Sequence, residues 1–395
     1  MTTLTLNHND KLKKGDIPNS VKKLILGYSF NQELKEGDIP NSVTHLTFDR
    51  EFRQELKKGD IPNSVTHLTF NNFYTKIKKD DIPNSVTHLT FGHLFNEFLK
   101  EGYIPNSVIK LTFGDNFNHA IRKKDIPNSV THLTFGDKFN QTIRKKDIPN
   151  SVTHLTFGKN FNYPIRKKDI PNSVTHLTFG YNFNQELKEG YIPTSVTHLT
   201  FGTYFNQKLK KGDIPCSVTH LTFGSFNQEL KKDDIPSSVT HLIFGSFNQE
   251  LKKDDIPSSV IKLTFSGFNQ ELKEGDIPSS VIELNFGYYF NQKLKEGDIP
   301  SSVIELTFGY YFNQELKEGD IPNSVIKLTF GKNFNQELNI LPLSIKSLTL
   351  YNNNKILSNL PFMLEKLVIE KYNKDNYIKL PYGCIIYNEY GKIKL

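Results

Sequence analysis

Nine histidines hold the same place in nine near-identical segments. His45, His67, His88, His132, His154, His176, His198, His220 and His241 each stand two residues after a valine, in Val-Thr-His-Leu-Thr/Ile-Phe. Imidazole is a frequent general base and metal ligand, so the row raises both chemistries. As zinc or copper ligands, imidazoles on neighbouring strands about 4.8 Å apart reach one ion in pairs, yet no carboxylate or thiolate stands beside them to complete a shell. As a catalytic base, a histidine needs a nucleophile or an orienting acid, and each of these has only threonine and further histidine for company. A catalytic residue is needed once and a metal site needs a few converging ligands. Repetition therefore points to a displayed surface, or to a residue carried along by duplication.

The elements that position the row follow from the repeat. Ile-Pro recurs at Pro18, Pro40, Pro62, Pro83, Pro105, Pro127, Pro149, Pro171, Pro193, Pro215, Pro236, Pro257, Pro278, Pro300 and Pro322, with every interval 21 or 22 residues. Leu-Pro echoes follow at Pro342, Pro361 and Pro381. Val-x-x-Leu-x-Phe has the period of a short half-buried strand, and Asp-Ile-Pro-Asn/Ser-Ser reads as a turn. The shorter repeats lose their residue between two phenylalanines (Phe70 to Phe73, Phe223 to Phe226, Phe244 to Phe247, Phe265 to Phe268), which marks a surface turn. One strand per repeat, always in the same phase and with no room for a regular helix, predicts a leucine-rich-repeat-like solenoid. It is mainly β, with about seventeen parallel strands and a convex side of turns and extended segments.

If Leu46 and Phe48 point inward, His45 and Thr47 point onto the open, concave face. The histidine column then reads Lys23, His45, His67, His88, Lys110, His132, His154, His176, His198, His220, His241, Lys262, Glu283, Glu305, Lys327, beside a column that is almost all threonine, including Thr134, Thr156 and Thr178. Like charges in such a ladder disfavour protonation, so these imidazoles should titrate broadly and below the free value near 6.5. The two phenylalanine columns hold 29 of the 31 phenylalanines, all but Phe98 and Phe362. Such a ladder is a stacking platform for bases or the spine of a core, and its phase with leucine assigns it to the core. The asparagine after the second phenylalanine (Asn31, Asn96, Asn118, Asn140 and onward) is suited to pair backbone groups at the bend, and stacked amides can also bond one another along the solenoid. Paired carboxylates such as Asp80-Asp81 belong to turns rather than to acid-base catalysis.

Phe-Asn, as at Phe139 and Asn140, followed by Ile-Pro, as at Ile148 and Pro149, runs through nearly the whole chain. In this the sequence resembles the FNIP repeat proteins of slime moulds and giant viruses. The resemblance implies a leucine-rich-repeat-like fold and names no reaction. Some giant-virus relatives carry an F-box-like module ahead of the repeats, which implies a ubiquitin-ligase substrate adaptor. Here Leu4 to Leu6 already belong to a repeat, and the adaptor reading is weakened accordingly.

Charge is uneven along the array. Most turns balance, as in Lys-Glu-Gly-Asp, but Arg122-Lys123-Lys124, Arg144-Lys145-Lys146 and Arg166-Lys167-Lys168 do not. Residues 115 to 170 carry eleven basic groups against five aspartates, supplying six of the formal net +7. Stacked rungs gather the nine cations of those triplets within about 10 Å of axis, a patch suited to nucleic acid, an acidic protein or a membrane surface, or else a solvated edge that resists aggregation.

With 36% apolar residues, a thin core shared between layers is expected rather than a deep one. The opening MTTLTLNHND has no signal-peptide pattern and no apolar run is long enough to span a membrane, so an intracellular, cytoplasmic location is expected. Cys216 and Cys384 suggest neither a disulfide framework nor a zinc motif. Residues 1–20 form a partial first repeat, 21–340 the repeat array and 341–395 divergent repeats with a C-terminal cap, in which Cys384 takes the buried valine position. The N-terminus shows no equivalent cap. The leading expectation is a non-enzymatic protein-interaction scaffold with no cofactor and no small-molecule substrate. Its partner is an unidentified protein, or else an anionic polymer or surface bound by the basic rungs.

Overall fold

The computed structural model describes residues 1–71, 76–352, 357–374, 376–388 and 390–393. The chain divides into two compact units, Met1–Phe205 and Asn206–Leu395. Each is a parallel β-solenoid, and no helix occurs among the described residues.

The first unit stacks ten short strands: β1 Thr3–Leu6, β2 Lys23–Leu26, β3 His45–Phe48, β4 His67–Phe70, β5 His88–Phe91, β6 Lys110–Thr112, β7 His132–Thr134, β8 His154–Thr156, β9 His176–Thr178 and β10 His198–Thr200. Each pairs in parallel with the next, in a register that sets identical repeat positions side by side. His132 lies against His154, Leu133 against Leu155 and Thr134 against Thr156. The second unit continues the pattern with β11 His220–Phe223, β12 His241–Phe244, β13 Lys262–Phe265, β14 Glu283–Asn285, β15 Glu305–Thr307, β16 Lys327–Thr329, β17 Ser347–Asn352, β18 Lys366–Lys371 and β19 Ile385–Asn388. A final strand, β20 Gly391–Lys392, folds back antiparallel on β19 and covers the C-terminal sheet edge. At the other end Leu4 and Leu6 of β1 are only half-buried.

Alternation builds the core. From β2 to β18 the inward leucine and phenylalanine or their aliphatic equivalents are buried, as are the valine ahead of the strand and the isoleucine before proline, and every phenylalanine of the two columns among the described residues is buried. Phe73 lies outside the described residues, and Phe98 and Phe362 stand 61% and 65% exposed. The rings do not stack at a uniform strand spacing. Within a rung Phe135 and Phe139 approach to 4.0 Å, whereas Phe139 and Phe161 of adjacent rungs lie 6.1 Å apart. Most rungs thus contribute a close aromatic pair, and burial of each ring contributes about 2 kcal/mol.

Hydrogen-bonded ladders fix the turns. The Asn140 amide oxygen accepts the backbone N–H of Asn162 at 2.9 Å, and Asn118 does the same for Asn140. The asparagines therefore serve the next rung's backbone rather than one another's side chains. Ser151 donates to the Val130 carbonyl at 2.7 Å, a bond repeated along the chain. Asp147 Oδ2 accepts the Arg144 backbone N–H at 2.8 Å, and Asp81 likewise accepts from Lys78 at 2.7 Å, the turn role anticipated for these carboxylates. Where each strand leaves the sheet the rungs approach closely: a Cβ on Gly158 would lie 1.9 Å from the Gly136 carbonyl oxygen. Glycine is required there by space.

One expectation needs correction. Cys384 takes the valine position but is only half-buried, because its strand has just the two-residue β20 beyond it instead of a full rung. Cys216 is exposed.

Candidate functional site

The strand register brings the histidines together in two runs within the first unit and pairs His220 with His241 in the second. His45, His67 and His88 lie on β3–β5; Lys110 on β6 interrupts; His132, His154, His176 and His198 lie on β7–β10; His220 and His241 begin the second unit on β11–β12. Within the runs the rings are co-facial, with centroids 4.1 Å apart for His45 and His67 and 4.2 Å for His154 and His176. They are half-buried on the sheet's open face, except His132, which is exposed. Thr134, Thr156 and Thr178 form the adjoining column in register, each half-buried.

What holds each ring is the threonine before it. Thr153 Oγ1 lies 3.0 Å from His154 Nδ1 and 3.2 Å from the Thr131 carbonyl of the preceding rung. The same contact with Nδ1 recurs for Thr44, Thr66, Thr87, Thr131, Thr175, Thr197, Thr219 and Thr240. A hydroxyl has one proton. When it goes to the carbonyl, the oxygen accepts Nδ1–H and Nε2 presents its lone pair to solvent. A proton taken up at Nε2 then leaves both bonds intact. The sequence reading overlooked this column although its signal was available. All nine histidines follow threonine, whereas Lys110, Lys262, Glu283, Glu305 and Lys327 in the same column all follow isoleucine.

Burial first, and then the neighbouring imidazoles, hold His67, His154 and His176 below the ordinary value of 6.5. Farther along, the histidine column turns into charges that neutralise one another: Lys262 pairs with Glu283 at 2.5 Å, and Lys327 pairs with Glu305. Among the described residues no group of three or more His, Cys, Asp or Glu is arranged to hold a metal ion. Co-facial rings point their Nε2 atoms in parallel instead of toward a common centre.

The basic rungs are also brought together, at the turn edge. Arg122, Lys123, Lys124, Arg144, Lys145, Lys146, Arg166, Lys167 and Lys168 are all exposed. Lys124, Lys146 and Lys168 adopt φ of 77°, 76° and 75°, the left-handed conformation that glycine supplies at Gly102 and Gly190 on the flanking rungs. Each such lysine carries about 1 kcal/mol of backbone strain. Lys124 is paired with Glu101 at 2.8 Å. Lys79, Lys123, Lys124 and Lys146 line a groove of about 980 Å³ together with Glu101, Pro127, Asn128, Pro149 and Asn150.

A further cluster was not anticipated. Tyr288 and Tyr310 stack at 4.8 Å, Tyr289 and Tyr311 lie beside them, and Lys332 Nζ sits 5.5 Å from the rings of both Tyr310 and Tyr351. Its sequence signal is the doubled Gly-Tyr-Tyr-Phe.

The FNIP Repeat family model matches the chain in overlapping or abutting segments from 8–51 to 312–353. The crystal structure of CroV588, a circular leucine-rich-repeat protein of a giant virus, is similar at 44% identity and a TM-score of 0.84, over 94% of this chain and 57% of CroV588. The chain thus spans little more than half of that protein's length. The crystal structure of a TLR13–ssRNA13 complex aligns at 14% identity and a TM-score of 0.56, over 94% of this chain and 58% of TLR13, a likeness of fold alone. No curated protein sequence matches. Leucine-rich-repeat-like folds are commonly used for protein–protein interaction and are typically non-enzymatic. Because the family's repeat is matched over nearly its entire length, the chain belongs to the FNIP repeat family.

Proposed function

We propose that the chain is a non-enzymatic protein-interaction scaffold that docks a protein partner on the open face of its sheet, centred on His132, His154, His176 and His198 with Thr134, Thr156 and Thr178. The observation that carries this reading is the threonine lock. Each imidazole is stacked on its neighbours and held at Nδ1, so a partner meets a face whose side-chain entropy is already spent. Nothing in the solenoid's own packing requires the pair, since rungs with Ile-Lys or Ile-Glu keep the same register.

A second reading is favoured by the basic groove: the rungs at 122–168 bind an anionic partner. Their strained lysines stand where flanking rungs use glycine, and Lys123, Lys124 and Lys146 line one groove.

Affinity capture from the native cell separates the two. The intact protein is compared with a face variant (Thr134→Lys, Thr156→Lys, Thr178→Lys) and an edge variant in which the nine basic residues are reversed in charge. A partner lost only in the face variant supports the scaffold reading. Loss only in the edge variant, steep in salt, overturns it in favour of the second.

A further inference from the structure

The two turn positions that precede the buried aspartate change character along the chain. In the first unit they read Lys123-Lys124, Lys145-Lys146 and Lys167-Lys168 on three successive rungs; in the second unit they read Glu274-Gly275, Glu296-Gly297 and Glu318-Gly319, again on three successive rungs. Elsewhere glutamate takes this place only singly, at Glu36, Glu101 and Glu189. The runs therefore have equal length and the same rung pitch of about 4.8 Å, with opposite charge at these two positions, the glutamates standing next to Lys273, Lys295 and Lys317.

Each run borders a groove along the isoleucine–proline turns, and the two differ in the length of the side chains at its rim. In the basic run both positions carry long side chains, and the left-handed lysines put a second cationic column where flanking rungs have none. In the acidic run that second column is glycine, at φ of 89°, 92° and 90° for Gly275, Gly297 and Gly319, and the side chains of Glu274 and Glu296 lie against Gly297 and Gly319 of the next rung. The glutamates border a groove of about 1360 Å³ with Ile277, Pro278, Ile299 and Pro300, and also Lys253, in its lining. Glu274, Glu296 and Glu318 are exposed, and none forms an ion pair among the described residues. Lysine stems can lie along an isoleucine–proline lining while their ammonium groups reach the carboxylates at its rim.

We propose that the chain associates with a second copy of itself, the lysine side chains at 122–168 of one copy reaching into the acidic groove bounded by Glu274, Glu296 and Glu318 of the other. This rests on the second reading above and names the anionic partner as the chain's own acidic edge. The contact is heterologous: each copy offers both halves, so association continues from copy to copy unless the geometry closes a ring. Because its energy comes from exposed ion pairs, it is weak and sensitive to salt.

Sedimentation velocity tests it with two folded variants, checked by circular dichroism. One is made acidic on both edges (Lys123→Glu, Lys124→Glu, Lys145→Glu, Lys146→Glu, Lys167→Glu, Lys168→Glu), the other basic on both (Glu274→Lys, Glu296→Lys, Glu318→Lys). At low salt and up to about 100 μM, within the range of a weak specific contact, the wild-type mass should rise with concentration. It should fall back in high salt, with association weakened about tenfold or more. Each variant alone should sediment as a single chain, and an equimolar mixture of the two should associate again. A wild-type protein that stays single at low salt, or variants that do not associate when mixed, overturns the proposal. If that single chain still binds heparin through Lys123, Lys145 and Lys167, the anion-binding reading stands and only self-association fails.

Discussion

Exchange of Thr153 for isoleucine tests whether threonine is there for the histidine or for the solenoid. Isoleucine already stands at this position in Ile109, Ile261, Ile282, Ile304 and Ile326, all on its half-open side of the sheet. The exchange therefore introduces no foreign shape. It removes two contacts, the 3.0 Å bond to His154 Nδ1 and the 3.2 Å bond to the Thr131 carbonyl. The second is shared, because that carbonyl already accepts the N–H groups of Thr153 at 2.9 Å and His154 at 3.0 Å, so most of the loss resides in the imidazole bond. A net hydrogen bond of this kind contributes about 0.5–1.5 kcal/mol. The double-mutant cycle of Thr153→Ile with His154→Lys isolates it: Ile-Lys is a natural pair, whereas Ile-His and Thr-Lys are absent from the strand rungs. Urea unfolding of the four proteins should give a coupling energy near 1 kcal/mol, and nitrogen NMR of His154 should show its tautomer balance shifting in Thr153→Ile. A coupling below about 0.3 kcal/mol with unchanged ring signals would refute the lock, since additivity at that level is what independent sites show.

Three further outcomes follow from the same geometry. Gly158→Ala should destabilise the first unit by at least about 1–3 kcal/mol in chemical denaturation, because the new methyl would meet the Gly136 carbonyl at 1.9 Å; an unchanged midpoint would mean that the rungs do not approach as described. His67, His154 and His176 have folded values below 6.5, so the unfolded chain takes up protons first, and stability should fall as pH drops from about 6.5 through the folded values. Replacing the three by glutamine should flatten that slope, and an undiminished slope would contradict it. The turn aspartates act with the opposite sign at lower pH. Burial raises Asp125, Asp147, Asp169 and Asp276 above 3.8, against backbone hydrogen bonds that lower them, so they contribute stability that is complete below 3.8 and lost as pH rises through the folded values. Asp147→Asn should weaken that dependence, measured by urea midpoints across the acid range.

The fold was legible because one strand per repeat forces every column into register. Once Leu46 and Phe48 were assigned inward, the burial of the phenylalanines and the outward placement of His45 and Thr47 followed. What the repeat pattern did not convey was what a side chain does for the rung beside it. The asparagine oxygen serves a neighbouring backbone N–H, and the 4.0 Å pairing of Phe135 with Phe139 depends on the depth of the turn between them. The threonine lock was missed for a different reason: within a single repeat Thr153 reads as a copied strand residue, and its purpose emerges only from the rungs where threonine and histidine disappear together. Cys384 was misjudged because a position's burial depends on the next rung being present. The left-handed lysines were visible only by alignment with Gly102 and Gly190.

The scaffold reading stands or falls on where a partner sits. Carbethoxylation of the imidazoles, mapped by mass spectrometry on the free protein and on its captured complex, reports this directly, alongside lysine acetylation for the edge. The account predicts that His132, His154, His176 and His198 react in the free protein and are protected in the complex, while Lys123, Lys145 and Lys167 remain reactive. Protection of those lysines with the four histidines still open would contradict it.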